Sequence, residues 1–276
     1  MSPVPRQHRL HRALFISDVH LGFRHAKAKE LINFLDANDA PVIYLVGDFY
    51  DIKRLRRSGY WPASHAAVVR KLREKARAGS RIVYLPGNHD NALRRRPGLK
   101  RLIGNIEIVN RTVHETANGQ RFLVVHGDQH EPPREEVPGI FIVGCALYLA
   151  GVQASQTVSR ARRQLGYGFW SLSAAVKDRV LPHVGLARRY RENLAADAAR
   201  CGLDGVIAGH IHHAGMEEIG GVLYCNTGDW VESCTALVEN ENGDLELLRW
   251  RGANRQYRIE HAPSRNEPLS GLGTAA

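Results

Sequence analysis

Seven residues of metal-binding type stand in five short motifs spread along the chain. They are Asp18 and His20 in D-V-H, Asp48 in G-D, Asn88 in G-N-H-D, His126 in H-G-D, and His210 and His212 in G-H-I-H. Carboxylate, amide and imidazole ligands without thiolate suit Mn, Fe, Zn or similar divalent ions better than a structural zinc site. Seven ligands are too many for one ion. Two ions that share one bridging carboxylate would each have about four protein ligands and keep positions open for water and substrate.

The first three motifs each follow a short apolar segment that has the composition of a buried strand. Such strands are predicted at Ala13–Ile16, Val42–Val46 and Arg81–Leu85, with helices between them at 26–38 and 62–78. This alternation predicts right-handed crossovers and a largely parallel sheet. Because loops at the carboxyl ends of such strands converge on one crevice, we expect the motifs to form one site.

A second β-rich region begins near residue 107. Segments 108–116 and 121–125, joined by an Asn118–Gly119 turn, predict an antiparallel hairpin. Further strands are predicted at 205–208, 221–225, 235–238 and 245–250. Two β-rich regions flanking helices predict an α/β sandwich. We place its core at residues 1–133 and 202–253.

The interval 134–201 breaks this pattern and is predicted to be a helical insertion, with helices at 140–163, 169–180 and 187–201. It holds ten Lys and Arg against five Asp and Glu, so half of the net charge of +10 lies in a quarter of the chain. Its apolar segments either form a pocket or membrane-facing ridge beside an arginine cluster, or pack on the core with basic outer faces. Residues 254–276 lack periodicity and are predicted to be a disordered tail.

Composition excludes several classes of protein. Hydrophobic residues make up 43% and charged residues 24%, which is ordinary for a globular chain and unlike collagen, a coiled coil or a disordered protein. The longest apolar run, 140–152, is too short to cross a bilayer, and no secretory signal follows the basic N-terminus, so we expect a cytoplasmic protein. The cysteines lie far apart in sequence and are expected to be reduced thiols: Cys145, Cys201, Cys225 and Cys234.

The order D-x-H, G-D, G-N-H-D, H and G-H-x-H resembles that of the calcineurin-like metallophosphoesterase superfamily, over Ala13 to about Leu248. The resemblance implies a four-layer α/β/β/α sandwich with a helical insertion. It also implies that His89 stabilises charge on a phosphoryl group or protonates the leaving oxygen, and that Asp90 orients His89. The implied ligand sets are Asp18, His20, Asp48 and His212 for one metal, and Asp48, Asn88, His126 and His210 for the other, with Asp48 as the bridge.

Within the superfamily, D-V-H-L-G, G-D-F-Y-D-I and Y-C-N-T-G-D-W-V-E-S-C-T most resemble the UDP-2,3-diacylglucosamine hydrolase branch. Enzymes of that branch split the pyrophosphate of a UDP-linked diacylated glucosamine in lipid A synthesis, giving UMP and a lipid monophosphate. The resemblance implies two Mn²⁺ ions, a nucleotide-linked lipid substrate, a helical lid for the acyl chains and a peripheral location at the inner membrane. The predicted substrate-binding residues of the lid are Arg160, Arg162, Arg163, Arg188 and Arg189.

Two alternatives stay open. One is a phosphoesterase for another lipid-linked or nucleotide phosphate ester, since His89 stands where that branch commonly has Arg. The other is a nuclease, which the high positive charge would suit. Few aromatic residues interleave with these charges along the sequence, so nucleic acid is not the expected partner. The basic residues that a nuclease would use are Lys53, Arg54, Arg56, Arg57 and the run 94–96.

Overall fold

The computed structural model describes residues 9–94, 106–131, 185–251 and 256–261. Its strands are β1 (Arg9–Leu10), β2 (Ala13–Ile16), β3 (Asn38–Asp39), β4 (Val42–Val46), β5 (Arg81–Leu85), β6 (Ile106–Ile108), β7 (Thr112–Glu115), β8 (Arg121–Val124), β9 (Gly205–Ala208), β10 (Gly215–Ile219), β11 (Val222–Asn226), β12 (Thr235–Glu239), β13 (Leu245–Trp250) and β14 (Gln256–His261). Its helices are α1 (Ala28–Ala37), α2 (Ile52–Ser58), α3 (Ala63–Arg77) and α4 (Gly185–Arg200).

Two sheets carry the fold. The larger has the order β14-β13-β12-β2-β4-β5-β6, and the smaller has the order β10-β11-β9-β8-β7. In the larger sheet β2, β4, β5 and β6 are parallel, as the alternation of strands and helices predicts. In the smaller sheet β8, β9 and β11 are parallel neighbours. The carboxyl ends of both sets of parallel strands carry the motifs.

Buried side chains fill the space between the two sheets, and they also cover the outer face of each sheet. Phe15 and Tyr44 of the larger sheet and Phe122 and Ile207 of the smaller one belong to one buried cluster. A second cluster joins the other face of the larger sheet to α1 and α3. A third joins the smaller sheet to α4. The four layers are therefore helix, sheet, sheet and helix, and the predicted α/β/β/α sandwich is confirmed.

Helix α4 corrects the predicted extent of the insertion. The prediction assigned everything from 134 to 201 to a lid, but Tyr190, Leu194 and Ala198 of α4 are buried against strands of the smaller sheet. Burying this apolar face completes the fourth layer, so α4 belongs to the core. The predicted helices at 140–163 and 169–180, and Cys145, lie outside the described residues.

Strand β14 corrects the predicted tail. Residues Gln256–His261 pair antiparallel with β13 and form the edge of the larger sheet, so the assignment of 254–276 as disordered is wrong for these six residues. Three cysteines fall in the described residues and form no disulfide there, with Cys201 exposed and Cys225 and Cys234 buried. None of the described helices has the length and apolar character that a membrane span requires.

Candidate metal centre

The backbone is unusual at most of the predicted ligands. Five of the seven have a positive φ, between 50° and 71°; they are Asp18, His20, Asp48, His210 and His212. Among the described residues, Cys234 is the one other non-glycine residue with a positive φ. Left-handed backbone costs an L-residue about 1–2 kcal/mol. Such strain collects at functional sites, where the rest of the fold holds it in place. Here the left-handed backbone turns the candidate ligands inward shortly after their strands end.

Asp18, His20 and His212 form the first ligand cluster. The Oδ1 atom of Asp18 lies 3.2 Å from His212 Nε2 and 3.8 Å from His20 Nε2, and the two Nε2 atoms are 3.3 Å apart. This Oδ1 atom is buried and accepts no hydrogen bond from the residues that the structure describes. The other oxygen, Oδ2, accepts one from the Ser17 hydroxyl at 2.5 Å and one from the His210 amide at 2.9 Å. An unsatisfied carboxylate oxygen facing two imidazole nitrogens fits a divalent cation.

Asp48, Asn88, His126 and His210 form the second cluster. His126 Nδ1 donates to the Val46 carbonyl at 2.9 Å, which directs Nε2 towards Asp48 Oδ2 at 3.5 Å and Asn88 Oδ1 at 3.3 Å. Ligating atoms of Asp48, His126 and His210 all lie within 4.8 Å of one another. A hydrogen bond on one ring nitrogen that fixes the ligating nitrogen is the usual arrangement at metal-bound histidine.

Asp48 lies between the two clusters. Its Oδ2 atom is 3.5 Å from His126 Nε2 of the second cluster and 3.9 Å from His20 Nε2 of the first. Burial alone would raise the pKa of Asp48, but His126 and His20 outweigh burial and lower it to about 2. Burial likewise lowers the pKa of His126, and Asp48 more than reverses this, to about 10. The centre therefore favours positive charge beside Asp48.

Asp51, which the sequence prediction missed, is the acid beside His89. Its Oδ2 atom lies 3.3 Å from His89 Nδ1 and 3.8 Å from His20 Nδ1. Asp51 is 1% exposed, whereas the His89 side chain is 31% exposed at the open side of the centre. The interaction with Asp51 raises the pKa of His89. Asp51 also accepts a hydrogen bond from the Arg54 amide at 3.0 Å, so it caps α2.

Asp90 does not take the predicted role of orienting His89. One of its oxygens accepts from the Gly87 amide at 2.6 Å, and the other accepts from the Tyr50 amide at 3.2 Å and from the Tyr84 hydroxyl. Burial, followed by the nearby Asp48, raises the pKa of Asp90 to about 6. Asp90 therefore holds the loop that carries Asn88 and His89, and Asp51 replaces it as the acid that contacts the His89 ring.

Two further contacts connect the loops around the second cluster. Arg94 donates to the Pro86 carbonyl and to both carboxylate oxygens of Asp128, at 2.7 and 3.0 Å. It therefore connects the loop of Asn88 to the loop of His126, and these contacts use four of its five N–H donors. Residues 95 and 96 of the same basic run lie outside the described residues.

The predicted substrate-binding arginines are not brought to the centre as far as the structure describes them. Arg160, Arg162 and Arg163 lie outside the described residues. Arg188 is exposed and pairs with Glu192 one turn further along α4, at 2.8 Å, and Arg189 is also exposed. Tyr190 of α4 does reach the site loops, and its hydroxyl donates weakly to the His126 and Gly209 carbonyls at 3.4 and 3.3 Å.

A four-layer sandwich with Asp and His clusters at the strand ends defines an α/β protein with a candidate site for divalent metal ions. The sequence profile of the calcineurin-like phosphoesterase family matches residues 11–214, and the chain belongs to that family. It is a metal-dependent phosphoesterase by family and by its ligand clusters.

Solved structures of similar fold share little sequence with the chain. A single mutant of Vps29 from Entamoeba histolytica is 14% identical, with a TM-score of 0.48, and the match covers 91% of this chain and 99% of that one. Yfce, a phosphoesterase from E. coli, is 15% identical, with a TM-score of 0.47 and coverage of 91% and 97%. Vacuolar Protein Sorting 29 from Cryptosporidium parvum is 12% identical, with a TM-score of 0.47 and coverage of 91% and 97%. No protein of curated function matches significantly.

Proposed function

We propose that the protein holds two divalent ions, most suitably Mn²⁺, and hydrolyses the pyrophosphate of a UDP-diacylglucosamine-type lipid to UMP and a lipid monophosphate. The proposal of two metal ions rests on the position of the Asp48 carboxylate. This carboxylate lies within 4 Å of a histidine of each ligand cluster. The ligand sets are those that the family resemblance implied, with Asp48 shared by both.

The metal ions would supply Lewis-acid charge at the phosphoryl oxygens and lower the pKa of water towards neutrality. The chain's own contribution at the leaving side is His89. Because Asp51 raises the pKa of its imidazole, His89 retains its proton closer to neutral pH and can donate a hydrogen bond or a proton to the phosphoester. The amide of His89 donates to Asp48 Oδ1 at 2.8 Å, which ties this residue to the shared ligand.

The lipid substrate is supported by sequence alone. It rests on the motifs that resemble the diacylglucosamine hydrolase branch and on apolar segments between 140 and 172, which lie outside the described residues. The proposed location is the cytoplasmic face of the membrane, where such a substrate would be found. Hydrolysis of another lipid-linked or nucleotide phosphate ester is the second candidate, and it is favoured by His89 in place of the arginine common in that branch.

The test compares three substrates with the Mn²⁺-loaded protein: the diacylated UDP-sugar in detergent, the same UDP-sugar without acyl chains, and single-stranded DNA. Burial stabilises by about 0.8 kcal/mol per CH₂, so four buried methylenes would favour the acylated substrate roughly a hundredfold in kcat/KM if the transition state keeps that contact. Equal turnover of the two UDP-sugars would exclude the lipid substrate. Preferred cleavage of DNA, weakening steeply as salt rises, would support a nuclease instead.

A variant separates metal binding from chemistry. His89→Ala is expected to keep its metal ions and to lose roughly 10²–10⁴-fold in rate, the range for loss of a general acid or charge-stabilising group. His89→Arg is expected to recover part of that rate, because Arg still stabilises phosphoryl charge. An unaltered rate in His89→Ala would remove this residue from the mechanism.

A further inference from the structure

Arg54 shares a carboxylate oxygen with His89. The Oδ2 atom of Asp51 lies 3.0 Å from Arg54 Nε and 3.3 Å from His89 Nδ1. Two basic side chains therefore flank one buried acid at the rim of the metal centre. His89 stands on the side of the ligand clusters, with its ring 4.7 Å from that of His20, and Arg54 stands on the side of α2.

The guanidinium of Arg54 is held on two sides. Its carbon atom lies 4.0 Å from the centre of the Phe23 ring, and the Phe23 amide donates to the His20 carbonyl at 2.9 Å. Asp51 fixes the Nε end of the group and Phe23 supports its face, so little rotamer freedom is left to lose on binding a ligand. This rigidity distinguishes Arg54 from an ordinary surface arginine.

The outer end of the same guanidinium is available. The Arg54 side chain is 49% exposed, and within the described parts of the chain its two Nη nitrogens meet no acceptor. Their N–H groups form the planar fork that binds a phosphate through two parallel hydrogen bonds. A second such pair stands nearby, with the Arg24 guanidinium 4.7 Å from the Tyr60 ring.

We infer that Arg54 binds the phosphate group next to the one that is cleaved, and so selects pyrophosphate diesters over simple phosphodiesters. The inference rests on the proposed function, which places the scissile phosphorus at the metal ligands beside His89. In a pyrophosphate the second phosphoryl group is one bridging oxygen away and carries its own negative charge. A phosphodiester with two neutral substituents offers Arg54 nothing to bind.

The test uses the full-length, Mn²⁺-loaded protein and two substrates, a UDP-sugar and bis(p-nitrophenyl) phosphate. Arg54→Gln is expected to lower kcat/KM for the UDP-sugar by about 10- to 100-fold, the range for one charged hydrogen-bonding group, and mainly through KM. The loss on bis(p-nitrophenyl) phosphate is expected to be at least about tenfold smaller. The matched control is Arg77→Gln, which removes the same charge from an exposed site on α3 and is expected to change neither value.

A binding measurement gives a readout that does not depend on turnover. Calorimetry with methylenediphosphonate, a pyrophosphate analogue whose P–C–P bridge is not hydrolysed, is expected to show about tenfold weaker binding to Arg54→Gln and unchanged binding to Arg77→Gln. Equal losses on both substrates, or equal diphosphonate binding by Arg54→Gln and the unmodified protein, would overturn the role of Arg54. If the unmodified protein cleaves neither substrate, the proposed function fails, while the diphosphonate result still decides whether Arg54 binds a diphosphate.

Discussion

Gly87→Ala is the sharpest test of how tightly the metal centre is built. A Cβ atom at position 87 would lie 2.2 Å from Asp48 Oδ1 and 2.6 Å from His126 Nε2, whereas ordinary contact begins at 3.4 Å. Gly87 does not have the left-handed backbone that would disfavour alanine by itself. The methyl group must therefore displace Asp48, His126 or the loop by about 1 Å, and the hydrogen bond from the His89 amide to Asp48 would be disturbed.

The expected losses follow from that displacement. Overpacking of this kind costs about 1–3 kcal/mol of unfolding free energy. A displacement of about 1 Å in catalytic groups costs on the order of 10² in rate. The assays are urea denaturation, calorimetric Mn²⁺ affinity, and kcat/KM on bis(p-nitrophenyl) phosphate at saturating metal. We expect Mn²⁺ affinity to fall at least about tenfold, as it does when ligand-orienting contacts are lost.

Gly220→Ala is the control. Position 220 has a φ of 58° and nothing within 4 Å of an added Cβ, so alanine there should cost about 1–2 kcal/mol through its backbone alone. It should leave metal affinity and rate unchanged. If Gly87→Ala bound Mn²⁺ and turned over substrate like the unmodified protein, the close approach of position 87 to Asp48 would have no part in the function.

Four other substitutions test separate parts of the structure. Asp48→Ala should leave no stoichiometric metal in elemental analysis, because the shared ligand is lost; one ion retained per chain would contradict the bridge. Asp51→Asn should lower the pKa of His89 in an NMR titration and reduce activity by about 10–100-fold, and an unmoved pKa would disprove the contact. Burial lowers the pKa of His65 below 6.5, so the folded protein binds fewer protons than the unfolded chain and loses stability as pH falls below about 6.5. His65→Gln should flatten this slope in urea titrations from pH 7 to 5, which a parallel slope would refute. Leu194→Ala should cost about 2–5 kcal/mol if α4 belongs to the core, and a cost under about 0.5 kcal/mol would contradict that placement.

The convergence of the candidate metal ligands could be predicted from sequence because each follows closely after a strand whose type is clear. Ala13–Ile16 and Val42–Val46 are continuous apolar segments, and parallel strands must end at the same edge of the sheet. Asp18 and Asp48 are therefore close in space whatever the details of the helices between them. The convergence of the five motifs follows from topology rather than from side-chain packing.

The partner of His89 could not be obtained in the same way. Asp51 and Asp90 are both near ligands in sequence, and both precede residues that begin a helix or a turn. Only the path of the chain between residues 48 and 52 decides which carboxylate faces the imidazole. The G-D-F-Y-D spacing was the available signal, since it puts a second acid three residues after the shared ligand.

The two corrected boundaries have different causes. Helix α4 could not be assigned to a layer because an amphipathic pattern shows that a helix has a buried face but not which surface covers it. Strand β14 did leave a signal, since apolar Tyr257 and Ile259 alternate with polar residues in the segment Gln256–His261. That segment is short and joins the sheet through its pairing with β13. Its local sequence pattern alone therefore predicts a strand only weakly.

The left-handed backbone of the ligands bears on how variants of this protein would respond to selection for heat resistance alone. At His212, whose φ is 52° and whose side chain is 28% exposed, glycine or asparagine would relieve about 1–2 kcal/mol of backbone strain while removing a metal ligand. Substitutions selected by heating alone would then accumulate at the candidate metal ligands. The surviving variants would be more stable but less active. Stabilising substitutions should therefore be placed in surface helices such as α3. Each variant should be tested for bound metal as well as for melting temperature.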